Sequence, residues 1–112
     1  MKEINMPVCP VEITLELIGN KWVVLILREL FSGTKRFSEL FKGIPGISQK
    51  MLTQQLKAME SKGMVNRKVF AEVPPRVEYT LTETGNSIKP VIDSMAEWGK
   101  RYAESNAQEL CK

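Results

Sequence analysis

A helix that begins soon after Asn20 would have almost no polar side. The run Trp22–Leu27 consists of large apolar residues only. A helix that is apolar on nearly every side is stable in water only when other elements cover it. A chain of 112 residues has room for one domain built around such a helix. We expect the helix to begin after Asn20, a good N-cap residue, and to end near Phe31.

Three more helices are indicated by caps and by apolar spacing. The first begins at Pro10, with Cys9 as its N-cap, because proline suits the first helical turn. A short helix over about Arg36–Lys42 is followed by the turn Gly43–Gly46, which contains a proline and cannot continue a helix. A better specified helix starts after the N-cap Ser48. Its core-facing residues, at i, i+4 and i+7, are Leu52, Leu56 and Met59.

Two short extended runs and a final helix follow. Met64–Phe70 and Val77–Leu81 read as the strands of a hairpin, and the second alternates apolar and polar residues. The segment between them contains two prolines, which cannot donate to a ladder, so it forms an open, projecting tip. The last helix runs from about Thr82 or Glu83 to about Ala103. Pro90 either kinks this helix or marks its true start.

The order of elements is that of a winged helix-turn-helix: two helices, a short helix, a turn, a capped helix, a hairpin and a last helix. The expected fold class is therefore mainly α (α+β), with a two-stranded wing. We expect a single domain over residues 1–112, with a core at about 10–81, a C-terminal helix at about 82–106 and a flexible tail at 107–112.

The residue inventory excludes several kinds of chemistry. The chain has no histidine, and its two cysteines, Cys9 and Cys111, are too far apart in sequence to form a zinc-binding pair. It has no glycine-rich phosphate loop, and no apolar run approaches the ~20 residues of a membrane span. We therefore expect no enzyme activity, no cofactor, no metal and no membrane association. The expected location is the cytoplasm, where thiols stay reduced.

Positive charge is concentrated in the middle of the chain. Residues 21–82 carry eleven Lys/Arg against five Asp/Glu, which indicates a polyanionic partner. The capped helix lies in this segment, and its exposed Gln, Lys and Thr side chains suit base edges. Nearby cations suit phosphates. The predicted contacts to double-stranded DNA are Lys35, Arg36, Ser48, Gln49, Lys50, Thr53, Gln54, Lys57, Lys68 and Arg76. The alternatives are a solvated helix face and surface pairs of these cations with Glu72 or Glu78.

Five segments together resemble the HxlR-type winged helix regulators, which are MarR-like bacterial transcription factors. The resemblance extends from Cys9 to about Gly99. It implies a homodimer that binds a pseudo-palindromic operator with one recognition helix per half-site. It leaves open whether the protein is a repressor or an activator. The segments are Cys9–Val11, Gly19–Trp22, Lys35–Leu40, Ile47–Leu56 and Val73–Tyr79.

The resemblance also implies that the first and last helices form the dimer interface, so the last helix is a dimerisation helix. A long terminal helix with apolar residues on two sides is consistent with a partner surface. The alternative is that this stripe packs only on its own domain. The predicted interface residues are Leu15, Ile18, Ile88, Ile92, Met95, Trp98 and Tyr102.

Cys9 is the one candidate for chemistry. A thiol at a helix N-terminus lies beside unsatisfied N–H groups that favour the thiolate. Some members of the family sense oxidants or electrophiles at such a cysteine, and Cys111 is a candidate partner that would resolve a sulfenate. The alternative is an N-cap thiol with no redox role. A winged helix that binds a protein instead of DNA is the alternative for the whole chain.

Overall fold

A computed structural model describes residues 9–106, and the segment 107–112, predicted as a flexible tail, lies outside them. Helices and one small antiparallel sheet follow each other in the predicted order, so the mainly helical winged helix-turn-helix is confirmed. In chain order the elements are α1 (Pro10–Ile18), α2 (Lys21–Leu30), β1 (Lys35–Arg36), α3 (Phe37–Gly43), α4 (Gln49–Ser61), β2 (Val65–Phe70), β3 (Arg76–Leu81), α5 (Glu83–Ser87) and α6 (Lys89–Ser105).

The central helix α2 is buried as its sequence predicts. The Asn20 side chain accepts a hydrogen bond from the Trp22 N–H at 2.7 Å, so the predicted N-cap is confirmed. Ile26 and Leu27 are completely buried. They belong to one core to which every helix except α5 contributes; its other members include Ile18, Leu30, Leu40, Leu52, Leu56, Met59 and Ile92.

The sheet contains a strand that the sequence did not reveal. β3 is central, with the hairpin partner β2 on one side and the two-residue strand β1 on the other. β1 pairs Lys35 with Tyr79 and Arg36 with Glu78. Two residues are too few to show an alternating pattern, and the partner strand lies far along the chain. The wing is therefore the predicted two-stranded hairpin, and β1 extends it to a three-stranded sheet.

The C-terminal segment forms two helices instead of one continuous helix from Thr82. The chain breaks between α5 and α6 at Ile88, directly before the first turn of α6, which contains Pro90. Proline has no N–H for the preceding turn and fits only near a helix start. The alternative that Pro90 marks the true start of the last helix is therefore confirmed.

Close packing holds the start of α5 against the turn that follows α4. Thr82 Oγ1 accepts from the Gly85 N–H at 3.0 Å and donates to the Gly63 carbonyl at 2.6 Å. Gly85 is buried against the Met64 carbonyl oxygen, where a Cβ atom has no room. The residue must be glycine here because of the neighbouring backbone, since its own φ is not positive.

Candidate nucleic-acid interface

Helix α4 has one side packed in the core, so its polar side faces solvent in a fixed orientation. Ser48 Oγ accepts from the Met51 N–H at 3.0 Å and caps the helix start. At the other end Gly63 has φ of 78° and the Met64 N–H donates to the Met59 carbonyl at 2.9 Å, which is a Schellman ending. The predicted core residues of α4 are all buried, and the predicted polar residues Gln49, Lys50, Thr53, Gln54 and Lys57 are all exposed.

The turn before α4 is also held in place. Ile44 and Ile47 are buried on either side of Gly46, whose φ is +88°. The Glu39 carboxylate accepts from the Arg36 N–H at 2.8 Å and so caps α3. These contacts fix the α3–turn–α4 unit to the core. The exposed side of α4 is therefore a rigid surface of hydrogen-bonding groups that can approach a duplex as a unit.

A groove of about 400 Å³ lies between α4 and the wing. Thr53 and Lys57 line it from α4, and Arg67 lines it from β2. Arg67 was missed as a candidate, although its two-residue spacing from the buried Val65 places it on the strand face that turns towards α4. Glu60 and three apolar or aromatic residues complete the lining: Phe37, Val77 and Tyr79.

The other predicted cations lie outside this groove in different settings. Arg36 is exposed at the α3 N-terminus, while Lys35 is half-buried in β1. Lys68 is exposed on the sheet face opposite to Arg67, because neighbouring strand residues alternate. Among the residues that the structure describes, none of these four side chains is in an ion pair. Their charges are therefore available to phosphates.

Arg76 differs from these cations. Its guanidinium lies 3.2 Å from a Glu72 carboxylate oxygen and 3.3 Å from a Glu78 carboxylate oxygen. It also lies 4.0 Å from the centre of the Phe70 ring. The pairing with wing carboxylates that stood as the alternative is thus the observed arrangement. In this arrangement the Arg76 side chain is paired within the wing, and a phosphate contact by it stays a prediction.

The predicted dimer residues divide into two groups. Ile18 and Ile92 are buried in the protomer's own core and offer little surface to a partner. For Ile18 and Ile92 the prediction is corrected, because their side chains pack in the protomer's own core. Ile88 is half-buried against this core, and its role in the dimer stays a prediction. Large apolar side chains remain exposed on α1 and α6: Leu15, Met95, Trp98 and Tyr102 from the prediction, and Val11 and Val91 in addition.

Trp98 and Tyr102 form the most prominent part of this apolar face. Their rings stack at 5.2 Å with planes 11° apart, yet the two residues are 61% and 51% exposed. Val91, Met95, Trp98 and Tyr102 follow each other along one side of α6 at helical spacing. A row of large exposed apolar residues is typical of an interaction surface.

Cys9 has the predicted position at the start of α1. Its backbone is extended as an N-cap requires, but its side chain makes no capping hydrogen bond. The thiol is free and the residue is exposed. Cys111 lies outside the described residues. Within residues 9–106, no three of the His, Cys, Asp and Glu side chains converge as metal ligands, and no helix is both long and apolar enough to cross a membrane.

Comparison with known proteins agrees with this geometry. Residues 17–107 match the HxlR-like helix-turn-helix family. An uncharacterised HTH-type transcriptional regulator of Methanothermobacter thermautotrophicus is 52% identical over 94 residues, which are 84% of this chain and 72% of that protein. The HTH-type transcriptional regulator YodB of Bacillus subtilis is 42% identical over 97 residues, which are 86% of this chain and 87% of YodB.

Solved structures give the same assignment. The redox regulator HypR in its reduced form superposes with a TM-score of 0.83 at 42% identity, over 89% of this chain and 99% of HypR. A MarR-family regulator of Porphyromonas gingivalis superposes with a TM-score of 0.81 at 40% identity, over 88% of this chain and 97% of that one. The protein is therefore a winged helix transcriptional regulator, not an enzyme, and belongs to the HxlR-like helix-turn-helix family.

Proposed function

We propose that the chain binds double-stranded DNA in a sequence-specific manner by placing α4 in the major groove. The observation that carries this proposal is the division of α4 into a buried apolar side and an exposed polar side. Gln49 and Gln54 suit adenine, which offers one donor and one acceptor, and Lys50 suits guanine. The Ser48 hydroxyl accepts within its own cap and retains its proton for a phosphate oxygen.

Phosphates on either side of the groove would then meet the cations around α4. Lys57 and Arg67 line the groove between α4 and the wing, while Lys35, Arg36 and Lys68 lie outside its lining. Each phosphate that a cation neutralises releases counterions, so the affinity falls steeply with salt. These contacts set the register of the helix on the duplex and carry no sequence information.

Arg67→Gln is expected to lower the slope of log affinity against log salt concentration by about 0.9, because one phosphate contact is lost. Titrations of one operator duplex at several salt concentrations measure this slope. Lys100→Gln removes the same charge from an exposed position on α6 and should leave the slope unchanged. An equal slope in all three proteins would rule out a phosphate in the groove.

We propose further that the protein acts as a homodimer. The exposed apolar face of α1 and α6 would be covered by the same face of a second copy, since a two-fold interface joins identical patches. Two copies of α4 then reach half-sites about 34 Å apart, or a multiple of that distance. The operator is accordingly a pseudo-palindrome.

The proposed function is tested by selecting bound duplexes from a random pool at physiological salt. The expected result is a pseudo-palindromic motif with a fixed spacing. Selection with Gln49→Ala should relax the preference at one base pair in each half-site, which corresponds to about 1–3 kcal/mol of discrimination. Absence of any motif would contradict the proposal. A protein partner that is captured at high salt without nucleic acid would support the interaction module instead.

We further propose that Cys9 is a redox switch that changes operator affinity. Its exposed thiol at the α1 N-terminus lies next to the proposed dimer face, and the similar protein HypR is named a redox regulator. Oxidation by diamide takes two electrons and two protons from two thiols, which become a disulfide while diamide becomes the hydrazine. The second thiol is Cys111 or the Cys9 of the other protomer.

Diamide is expected to change operator affinity at least about fivefold, which is the lower end of typical coupling between sites. Cys9→Ser should bind the operator like the untreated protein and should not respond to diamide. Gel shifts with and without diamide, followed by reductant, measure both. An unchanged affinity after confirmed oxidation of Cys9 would end the switch proposal and leave DNA binding intact.

A further inference from the structure

The guanidinium of Arg76 has partners on three sides, at the start of the second strand of the wing. Arg76 is the first residue of β3 and pairs with Phe70, the last residue of β2. Its Nη2 atom lies 3.2 Å from Glu72 Oε2, and its buried Nε atom lies 3.3 Å from Glu78 Oε2, an ion pair without hydrogen-bond geometry. The planar group covers the Phe70 ring at 4.0 Å from the ring centre. Only 26% of the Arg76 side chain is exposed.

We infer that Arg76 is a positioning residue that holds the wing tip in one geometry, and that it does not itself contact DNA. Glu72 belongs to the tip and Glu78 to β3, so one side chain connects the tip to the strand that supports it. A planar guanidinium can pair with two carboxylates and stack on a ring at the same time. The point charge of a lysine cannot reproduce this combination.

The segment that this cluster holds is exposed to solvent. Residues 71–75 are all exposed, and Val73 is completely so. The Lys68 ammonium lies 5.0 Å from the centre of the same Phe70 ring, so the cluster also orients this cation. The inference rests on the proposed DNA binding, to which it adds a reason for affinity: a tip ordered in advance loses less conformational freedom on binding.

Glu72 allows a test in which positioning and simple charge predict opposite signs. If Glu72 only repels DNA, Glu72→Gln removes that repulsion and tightens binding. If Glu72 holds Arg76, the same change weakens binding, by about threefold on the scale of partly exposed ion pairs. Arg76→Lys keeps the charge but not the planar fork, so it should also weaken binding by about threefold.

Glu97→Gln is the matched control. Glu97 forms an ion pair with Arg101 at 3.4 Å with the same four-residue spacing, on the exposed surface of α6. It therefore loses the same charge and the same kind of pair away from the wing. We expect its operator affinity to stay within about twofold of the wild type. Tighter binding by Glu72→Gln, or wild-type binding by Arg76→Lys, would overturn the inference.

Hydrogen exchange of the DNA-free protein tests the cluster separately from the proposed function. The Glu72 N–H donates to the Phe70 carbonyl at 2.8 Å at the start of the tip. This amide should exchange about threefold faster in Glu72→Gln and Arg76→Lys but not in Glu97→Gln. Equal exchange in all four proteins would overturn the positioning role. Failure of the wild type to bind any duplex would instead contradict the proposed function, while the exchange rates still decide the role of Arg76.

Discussion

Trp98→Glu is expected to convert the protein to a monomer and to lower operator affinity by about 100-fold or more. Trp98 is 61% exposed in the protomer, in the middle of the apolar row on α6. In the proposed dimer the new carboxylate would be buried without a partner, which costs several kcal/mol. A monomer binds one half-site only, and the advantage of two linked contacts is lost.

Sedimentation equilibrium and an operator titration measure this result. Because residue 98 is exposed in the protomer, the fold itself should change in stability by no more than about 0.5 kcal/mol. Lys100→Glu places the same carboxylate two residues away, on the opposite side of α6, and should remain a dimer. If Trp98→Glu stays dimeric and binds the operator normally, another surface joins the protomers.

Leu56→Ala is expected to lower the free energy of unfolding by about 3 kcal/mol. Leu56 is 1% exposed and lies in the core on the buried side of α4. Its loss removes apolar contacts and leaves a cavity, and comparable changes cost ~2.7–5 kcal/mol. The stability of a domain of this size is only about 5–15 kcal/mol, so the effect is a large fraction of the total.

Urea unfolding at a fixed protomer concentration measures the change, since the proposed dimerisation would make apparent stability depend on concentration. Val73→Ala also removes methyl groups, but from a completely exposed position, and should cost less than about 0.5 kcal/mol. At low temperature the Leu56→Ala molecules that remain folded should still expose the polar side of α4. A loss below about 1 kcal/mol would show that the site repacks around the missing side chain.

The candidate interface shows where sequence interpretation succeeded and where it did not. The exposure of Gln49, Lys50 and Thr53 was predicted because the helical period places them opposite the apolar residues of the same helix. Arg67 was overlooked because the direction of its side chain depends on how β2 packs against α4. For Arg76 the sequence left open a phosphate contact or a pair with Glu72 or Glu78, and the structure shows both carboxylates beside its guanidinium.

The sequence by itself determined the capped helices, the proline-containing tip and the polar side of α4, since caps, turns and periodicity involve residues within a few positions of one another. Only the tertiary structure decided that Lys35-Arg36 joins the sheet, that Arg76 is held within the wing, and that Ile18 and Ile92 face the protomer's own core while Trp98 faces outward. The sheet pairing and the direction of the core residues depend on contacts between elements distant along the chain, whereas the partners of Arg76 lie within six positions and are brought together when the hairpin closes. Residue type and spacing alone therefore do not specify them.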